Sequence, residues 1–324
     1  MPTLTQLEYA VAVDTHRHFG KAANACHVSQ PTLSMQLLKL EKELGAALFD
    51  RSIKPILPTD LGKEIIAQAR KILQDMQNLL LTTTKVTGQI SGQLKIGIIP
   101  TLSSLLIPRF LPVFTQTNPL VSLQITELKT AHILEELENE KCDVGIMATP
   151  TGHANFFEHA LFYEPFYFYC SQEHALANEK QISQDELGNT PLWLLKDGHC
   201  MRNQTMRVCS NTKDQSVIKN VTFESGNLET LRRLVEMSGG ATLLPYLSLA
   251  NAEGKIEKNA PQKGRAIAFN QPTPCREVSL VYRRRYLKEN LLEALAKSIL
   301  LSLPDSIKNL RKKNLEIFDV SDFQ

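Results

Sequence analysis

FGKAANACHVSQPTLSMQLLKLEKELGAALFDR, Phe19 to Arg51, is the stretch that decides how the start of this chain folds. Its first piece, Phe19 to Cys26, is a short alanine-rich segment whose small side chains permit close helix packing. His27 and Val28 make a turn. Ser29 reads as a helix N-cap, and Pro31 falls in the first turn that follows. From Pro31 to Glu43, Leu33, Leu37, Leu40 and Leu44 recur at helical spacing and predict one buried stripe. The opposite side carries Pro31, Met35, Lys39 and Lys42, flanked by Thr32 and Ser34. Upstream, Leu4, Leu7, Ala10, Val11 and Val13 predict another helix. A short helix, a tight turn and a longer helix with polar residues at its start is helix-turn-helix logic, in which the first residues of the second helix touch base edges. A generic helical hairpin fits the same pattern.

Over its whole length the stretch resembles the DNA-binding head of the LysR-type transcriptional regulators. The resemblance implies a winged helix-turn-helix over residues 1–59 that binds double-stranded promoter DNA. Gln30, Pro31, Thr32, Ser34 and Lys39 match family positions that approach DNA, and Met35 shares their exposed side. Leu38 departs from the family, standing where relatives often carry a basic residue. Ile53 to Thr59, with prolines at 55 and 58, matches the wing. Arg51 and Thr59 are candidate contacts to the DNA backbone, which position a protein without specifying sequence. Residues 1–60 hold six Lys/Arg and six Asp/Glu, so DNA contact there must come from local placement of charge.

The chain has 324 residues with 43% hydrophobic and 22% charged side chains, which suits a globular protein of two or three domains. It lacks an apolar run of about 18 residues, so no membrane span is expected. The start, MPTLTQ, has neither a basic segment nor an apolar core, so a signal peptide is not expected and a cytoplasmic location is. Six cysteines without a framework spacing suggest a reducing compartment. There a disulfide is more often sensory or catalytic than structural. The net charge of +2 argues for no partner by itself.

From Asp60 the pattern becomes one long helix with a wide apolar face: Leu61, Ile65, Ile66, Ala69, Ile72, Leu73, Met76, Leu79 and Leu80. Such a face needs a partner, either its own domain or another copy. The family resemblance implies a homodimer through this linker helix (residues 60–92, ending in a hinge with Gly88 and Gly92) and a dimer of dimers. Leu94–Ile99, Val121–Leu128 and Asp143–Ala148 read as strands. Leu105–Phe114, interrupted by Pro108 and Pro112, and His132–Lys141 read as helices. This alternation argues for a parallel doubly wound sheet, which binds ligands at the carboxyl ends of its strands. Thr101 and Thr130 lie there, although either also fits as a cap of the next helix. Phe162–Cys170 reads as a strand entering a second lobe, followed by a strand at Val221–Glu224, a helix at Asn227–Met237 and a strand at Ala241–Leu244. Gly264–Phe269 and Val278–Arg283 are expected to return to the first lobe, which the helix Leu291–Leu303 closes. The fold class is α+β overall. The resemblance makes residues 93–303 a two-lobed, periplasmic-binding-protein-like sensor, lobe I about 93–162 and 268–303, lobe II about 163–267. The tail, 304–324, reads as a solvated appendage without a role.

One further stretch speaks to chemistry: LKDGHCMRNQTMRVC, Leu195 to Cys209. Cys200 follows a Gly-His pair, and Arg202 and Arg207 lie between it and Cys209. A thiol beside cations favours the thiolate, and a second cysteine nearby can resolve an oxidised first one into a disulfide. Both cysteines also fit as small buried apolar residues. His199, Cys200 and Cys209 lack the paired spacing of a structural zinc site, so no metal and no cofactor is expected. The stretch resembles the sensing loop of the hydrogen-peroxide-responsive LysR-type regulators. The resemblance implies that Cys200 is the peroxidatic thiol and Cys209 the resolving one. It further implies that His199 and Arg276 favour the anion, that Thr101 and Thr130 hold the peroxide, and that the switch acts through RNA polymerase. Asn203 departs from it, since relatives usually carry an acid there. Were residues 201–208 helical, the two Cα atoms would lie roughly 13 Å apart, beyond the 4.4–6.8 Å of a disulfide, so pairing would require local refolding. The rival readings are a LysR-type regulator that binds a metabolite between its lobes with inert cysteines, and a thiol peroxidase, against which the helix-turn-helix argues.

Overall fold

The computed structural model describes residues 1–84, 90–187, 190–209, 217, 223, 225–251, 254–256, 264–283, 288–310 and 312–320. It divides into two compact units at about Ile90. The expected hinge lies largely outside the described residues, as does the strand expected at 221–224. Among the described residues no helix is long and apolar enough to cross a membrane.

The first unit holds α1 (Leu4–His16), α2 (Phe19–Ala25), α3 (Gln30–Leu44), a two-stranded antiparallel wing of β1 (Phe49–Asp50) and β2 (Leu57–Pro58), and α4 (Asp60–Thr84). Local chemistry fixes each start. Thr3 and Gln6 close a capping box on α1, the His18 ring accepts from the first amides of α2, and Ser29 accepts from the Thr32 amide of α3. The Thr59 hydroxyl accepts from the Gly62 amide at 2.9 Å and donates to the Ala47 carbonyl at 2.8 Å, so Thr59 caps α4. Gly62 is required there, because a Cβ would lie 2.1 Å from the Leu48 carbonyl oxygen. Leu33, Leu37 and Leu40 of α3 are fully buried with Val13, Ala22 and Leu48. Leu44 does not continue their stripe; it is 37% exposed in the last turn, where Gly45 ends the helix in a left-handed conformation. Ile66 and Ala69 of α4 join this core beside α1. A buried pair, Arg70 to Asp14 at 2.7 Å, fastens α4 to α1. Leu61, Ile72, Met76 and Leu79 remain exposed along α4, so the apolar face is only partly consumed by its own unit.

The second unit runs β3 (Ser91–Ile98), α5 (Pro100–Thr117), β4 (Leu120–Glu127), α6 (Thr130–Glu138), β5 (Val144–Thr149), β6 (Phe156–Ser171) and β7 (Gln181–Ile182). It continues with α7 (Cys200–Val208), α8 (Leu228–Ser238), β8 (Ala241–Pro245), α9 (Tyr246–Leu249), β9 (Gly264–Phe269) and β10 (Thr273–Arg283). It ends with α10 (Glu289–Ser302), α11 (Asp305–Lys308) and β11 (Leu315–Ile317). The sheet order is β4-β3-β5-β10-β6-β9-β7. β3 pairs in parallel with β4 and β5, as the alternation predicts. β10, however, is antiparallel to both β5 and β6, so the sheet is mixed. β6 and β10 are the crossings between lobes. The first half of β6 pairs with β10, and its second half with β8 and β9.

Three expectations are corrected. β9 does not return to the first lobe, since Gly264–Phe269 pairs with the second half of β6 and with β7. Pro108 and Pro112 do not interrupt α5, which runs unbroken from Pro100. Both prolines stand on its exposed side, away from the buried face formed by Leu102, Leu106, Phe110 and Phe114. The tail is not a solvated appendage. β11 adds to the sheet in parallel with β10, over Thr273–Cys275, and Phe318 packs on the apolar core of the second lobe.

Candidate functional site

The sensor half brings the chemistry-bearing residues to one place by topology. Thr101 follows β3 in the first turn of α5, and Thr130 opens α6 just after β4. Both lie at the carboxyl ends of parallel strands, where ligand sites form in such sheets, and both are buried. Arg276 enters from β10 with no exposed surface. Its Nη1 donates to the Thr101 hydroxyl at 2.9 Å and its Nη2 to the Thr101 carbonyl at 3.3 Å. Cys200 is the first residue of α7 and is buried.

Burial pushes the Cys200 thiol up, against the pull of the Arg276 guanidinium, a hydrogen bond with the Thr130 hydroxyl and the amides of Met201 and Cys200 at the start of α7. The sequence places Arg202 and Arg207 beside Cys200 in the chain, and the resemblance adds Arg276; in the structure the first two pair elsewhere. Arg202 pairs with Asp197 at 2.7 Å and caps the Leu195 carbonyl. Arg207 pairs with Asp319 at 2.7 Å. Among the described residues the cation that acts on Cys200 is Arg276. His199, buried, precedes Cys200 at the start of α7. Burial first, then the Lys129 ammonium, push its pKa down against the opposing Glu127 carboxylate. It packs on Gly226, where a Cβ would lie 3.0 Å from Nε2. Gly198 has φ 84° and lies against Lys129, whose Nζ donates to the Asp197 carbonyl at 3.1 Å.

Sequence reasoning missed Glu164. It is fully buried on β6 and accepts from Arg276 Nε at 2.8 Å and Nη2 at 2.7 Å, and its other oxygen accepts from the Leu247 amide at 2.8 Å. An acid inside the apolar, aromatic run of β6 was the available signal, because a charge is seldom fully buried unless it is paired. Cys209 caps the C-terminus of α7, its amide donating to the Thr205 carbonyl at 3.0 Å. With α7 helical between them, the two cysteine Cα atoms are roughly 13 Å apart. A cavity of about 290 Å³ lined by Tyr169, Arg232, Ser248 and Asn251 shares no residue with this cluster. Among the described residues no group of three His, Cys, Asp or Glu side chains could hold a metal ion.

In the first unit, Gln30, Pro31 and Thr32 stand exposed at the start of α3, with Met35 (62% exposed), Leu38 and Lys39 beyond them; Ser34 is half-buried. Ser29 and Thr32 hydroxyls lie 2.7 Å apart. Arg51 donates to Glu41 at 2.6 Å and covers the Phe19 ring at 5.3 Å.

Residues 4–63 match the bacterial regulatory helix-turn-helix protein model of the lysR family, and residues 87–301 match the LysR substrate binding domain. A hydrogen peroxide-inducible genes activator from Pectobacterium carotovorum is 34% identical over 310 residues, 95% of this chain and 99% of its own length. The DNA-binding transcriptional dual regulator OxyR of Escherichia coli K12 is 35% identical over 91% of this chain and 94% of its own. A full-length OxyR variant from Pseudomonas aeruginosa superposes with a TM-score of 0.79 at 32% identity, covering 97% of this chain and 99% of that one. A peroxide-bound OxyR variant from Corynebacterium glutamicum gives a TM-score of 0.59 at 28% identity over 93% and 92%.

Proposed function

The chain belongs to the LysR family of bacterial transcriptional regulators, and from that premise we propose that it senses hydrogen peroxide through Cys200 and reports it to promoter DNA in the cytoplasm. The observation that carries this reading is the convergence on one buried thiol of a guanidinium from β10, a hydroxyl from α6 and the amide end of α7. These groups suit a sulfur that must pass through an anion, and an anion beside a helix N-terminus is favoured.

The proposed chemistry begins when Cys200 gives up its proton. Its sulfur attacks one peroxide oxygen, the O–O bond breaks, and the departing hydroxide takes up the proton as water. Cys200 is left as a sulfenic acid, oxidised by two electrons. Thr101, Thr130 and Arg276 supply hydrogen bonds to the peroxide oxygens. Cys209 attacks the oxidised sulfur, a second water leaves, and the Cys200–Cys209 bond forms. The sum is two thiols and one peroxide to one disulfide and two waters. Because α7 separates the cysteines by roughly 13 Å, it must unwind for them to reach disulfide distance, and that refolding is the signal.

The head reads DNA with Gln30, Pro31, Thr32, Ser34, Met35 and Lys39, and Arg51 contacts the backbone. The exposed apolar residues of α4 are the proposed dimer contact, with a dimer of dimers and RNA polymerase as the wider assembly. The test is a peptide-mapped thiol count before and after equimolar peroxide, for the wild type, Cys200→Ser and Cys209→Ser. A Cys200–Cys209 peptide in the wild type alone is expected. Retention of both thiols would refute the redox reading and leave a LysR-type regulator of some other signal.

A further inference from the structure

The tail reaches the helix that carries Cys200. β11 lies beside Thr273–Cys275, the residues just before Arg276. At Phe318 the chain joins two elements at once. Its amide donates to the Cys275 carbonyl at 3.1 Å, and its carbonyl accepts from Gln204 Nε2 at 2.6 Å. Gln204 has no exposed surface. One residue on, Asp319 accepts from Arg207 Nη1 at 2.7 Å, and its carbonyl lies 3.4 Å from the same nitrogen. Val320 is buried, and its amide donates to the Pro150 carbonyl at 3.0 Å.

The spacing of the partners is informative. Cys200, Gln204 and Arg207 follow one another at i, i+4 and i+7, so they lie along one side of α7. The tail grips the helix on the side that begins with the sensing thiol. It does so through a side-chain amide and a guanidinium whose positions both depend on α7 staying helical. β11 roots the other side of the grip in the sheet and Val320 ties it to Pro150, while Phe318 packs on the second-lobe core to which Met201, Val208 and Cys209 of the switch also belong.

We propose that Leu315–Val320 form a strap that holds α7 helical while both thiols are reduced, and that the strap must let go of Gln204 and Arg207 before Cys209 can reach Cys200. The role of the disulfide in this statement rests on the redox reading above; the hold on α7 does not. The strap sets the threshold of the switch. A stronger grip lowers the population of unwound α7 available to capture the sulfenic acid, and a weaker one raises it.

Amide hydrogen exchange on the full-length reduced protein tests the hold directly, followed by peptide-mapped disulfide formation at limiting peroxide. Two variants are compared with the wild type: Asp319→Ala, which keeps Phe318 and Val320 in place, and a chain stopped after Ile317. Losing the half-exposed Arg207–Asp319 pair should speed exchange of the 200–208 amides about three-fold, and losing the whole grip about ten-fold or more, with β3 and β5 unchanged. Cys200–Cys209 formation should accelerate in the same order. Should the shortened chain exchange faster everywhere, Asp319→Ala decides alone. Exchange of α7 at the wild-type rate in Asp319→Ala and in a folded shortened chain would overturn the strap. If the wild type forms no Cys200–Cys209 bond, the redox reading fails, and the exchange comparison still decides the hold on α7.

Discussion

Glu164 accepts two hydrogen bonds from the Arg276 guanidinium, at 2.8 and 2.7 Å, and neither side chain has any solvent exposure. The pair lies within the lobe crossing, on adjacent strands β6 and β10, and it fixes the arginine that touches Thr101 and influences Cys200. Removing one partner of a buried ion pair strands the other charge at about 3–5 kcal/mol, whereas replacing both with apolar residues is often near neutral. Glu164→Gln should therefore lower the stability of the reduced protein by about 3–5 kcal/mol in urea unfolding. Glu164→Leu combined with Arg276→Met should recover more than half of that loss. Additive costs in the double variant would show that the two groups contribute separately rather than as a pair.

Burial pushes the thiols of Cys142, Cys170 and Cys275 up to about 12. Cys200 is pushed up as well; backbone hydrogen bonds oppose burial at Cys142 and Arg265 opposes it at Cys170, but Cys200 is where a guanidinium, a hydroxyl and helix amides converge on one sulfur. At pH 7 peroxide should oxidise Cys200 and spare the other three. Because the thiolate is the nucleophile, its rate should climb about ten-fold per pH unit from 6 to 8 and not level off there. Arg276→Met, which removes the largest opposing influence, should slow it at every pH. The sign for stability is set by proton count. Above the ordinary cysteine value of 9.0 an unfolded Cys200 has lost its proton while the native one keeps it, so stability held below that pH declines as pH rises past it. Peroxide pulses with peptide mapping at pH 6, 7 and 8 check the rate, and a rate independent of pH would contradict the assignment.

How much of this was legible in the sequence differs by element. The head was nearly fully readable, because Ser29, Pro31 and the leucines of α3 act through local caps and helical spacing; only Leu44 misled, lying past the last turn that the core covers. The parallel strands were readable because Val144–Ala148 is a buried apolar run and Leu94, Ile96 and Ile98 alternate as buried apolar positions. β9 was placed in the wrong lobe because its pairing with Tyr167–Ser171 spans about a hundred residues, and no local pattern records which half of a long strand a later one joins. At the site, Cys200, Thr101, Thr130 and Arg276 were placed by resemblance, and the fold brings them together. The downward push on His199, from burial and then Lys129, and the partner of Arg207, Asp319, were not legible, since both depend on parts of the chain distant in sequence.

Two residues expected at the DNA, Lys39 and Thr59, should separate cleanly in experiment. Lys39 is exposed on α3 and takes no part in the buried core of the head. Thr59 is committed inside the head, its hydroxyl joining the Gly62 amide to the Ala47 carbonyl. Neutralising a phosphate contact lowers the slope of log K against log salt by about 0.9 per contact, and losing a helix N-cap costs about 1 kcal/mol. Lys39→Ala should reduce the salt slope by about 0.9 per head on a random-sequence duplex and leave urea unfolding unchanged. Thr59→Ala should do the reverse, lowering stability by about 1 kcal/mol with the slope intact. A slope that falls for Thr59→Ala would return that hydroxyl to the DNA interface, and a slope unmoved by Lys39→Ala would take the lysine out of it.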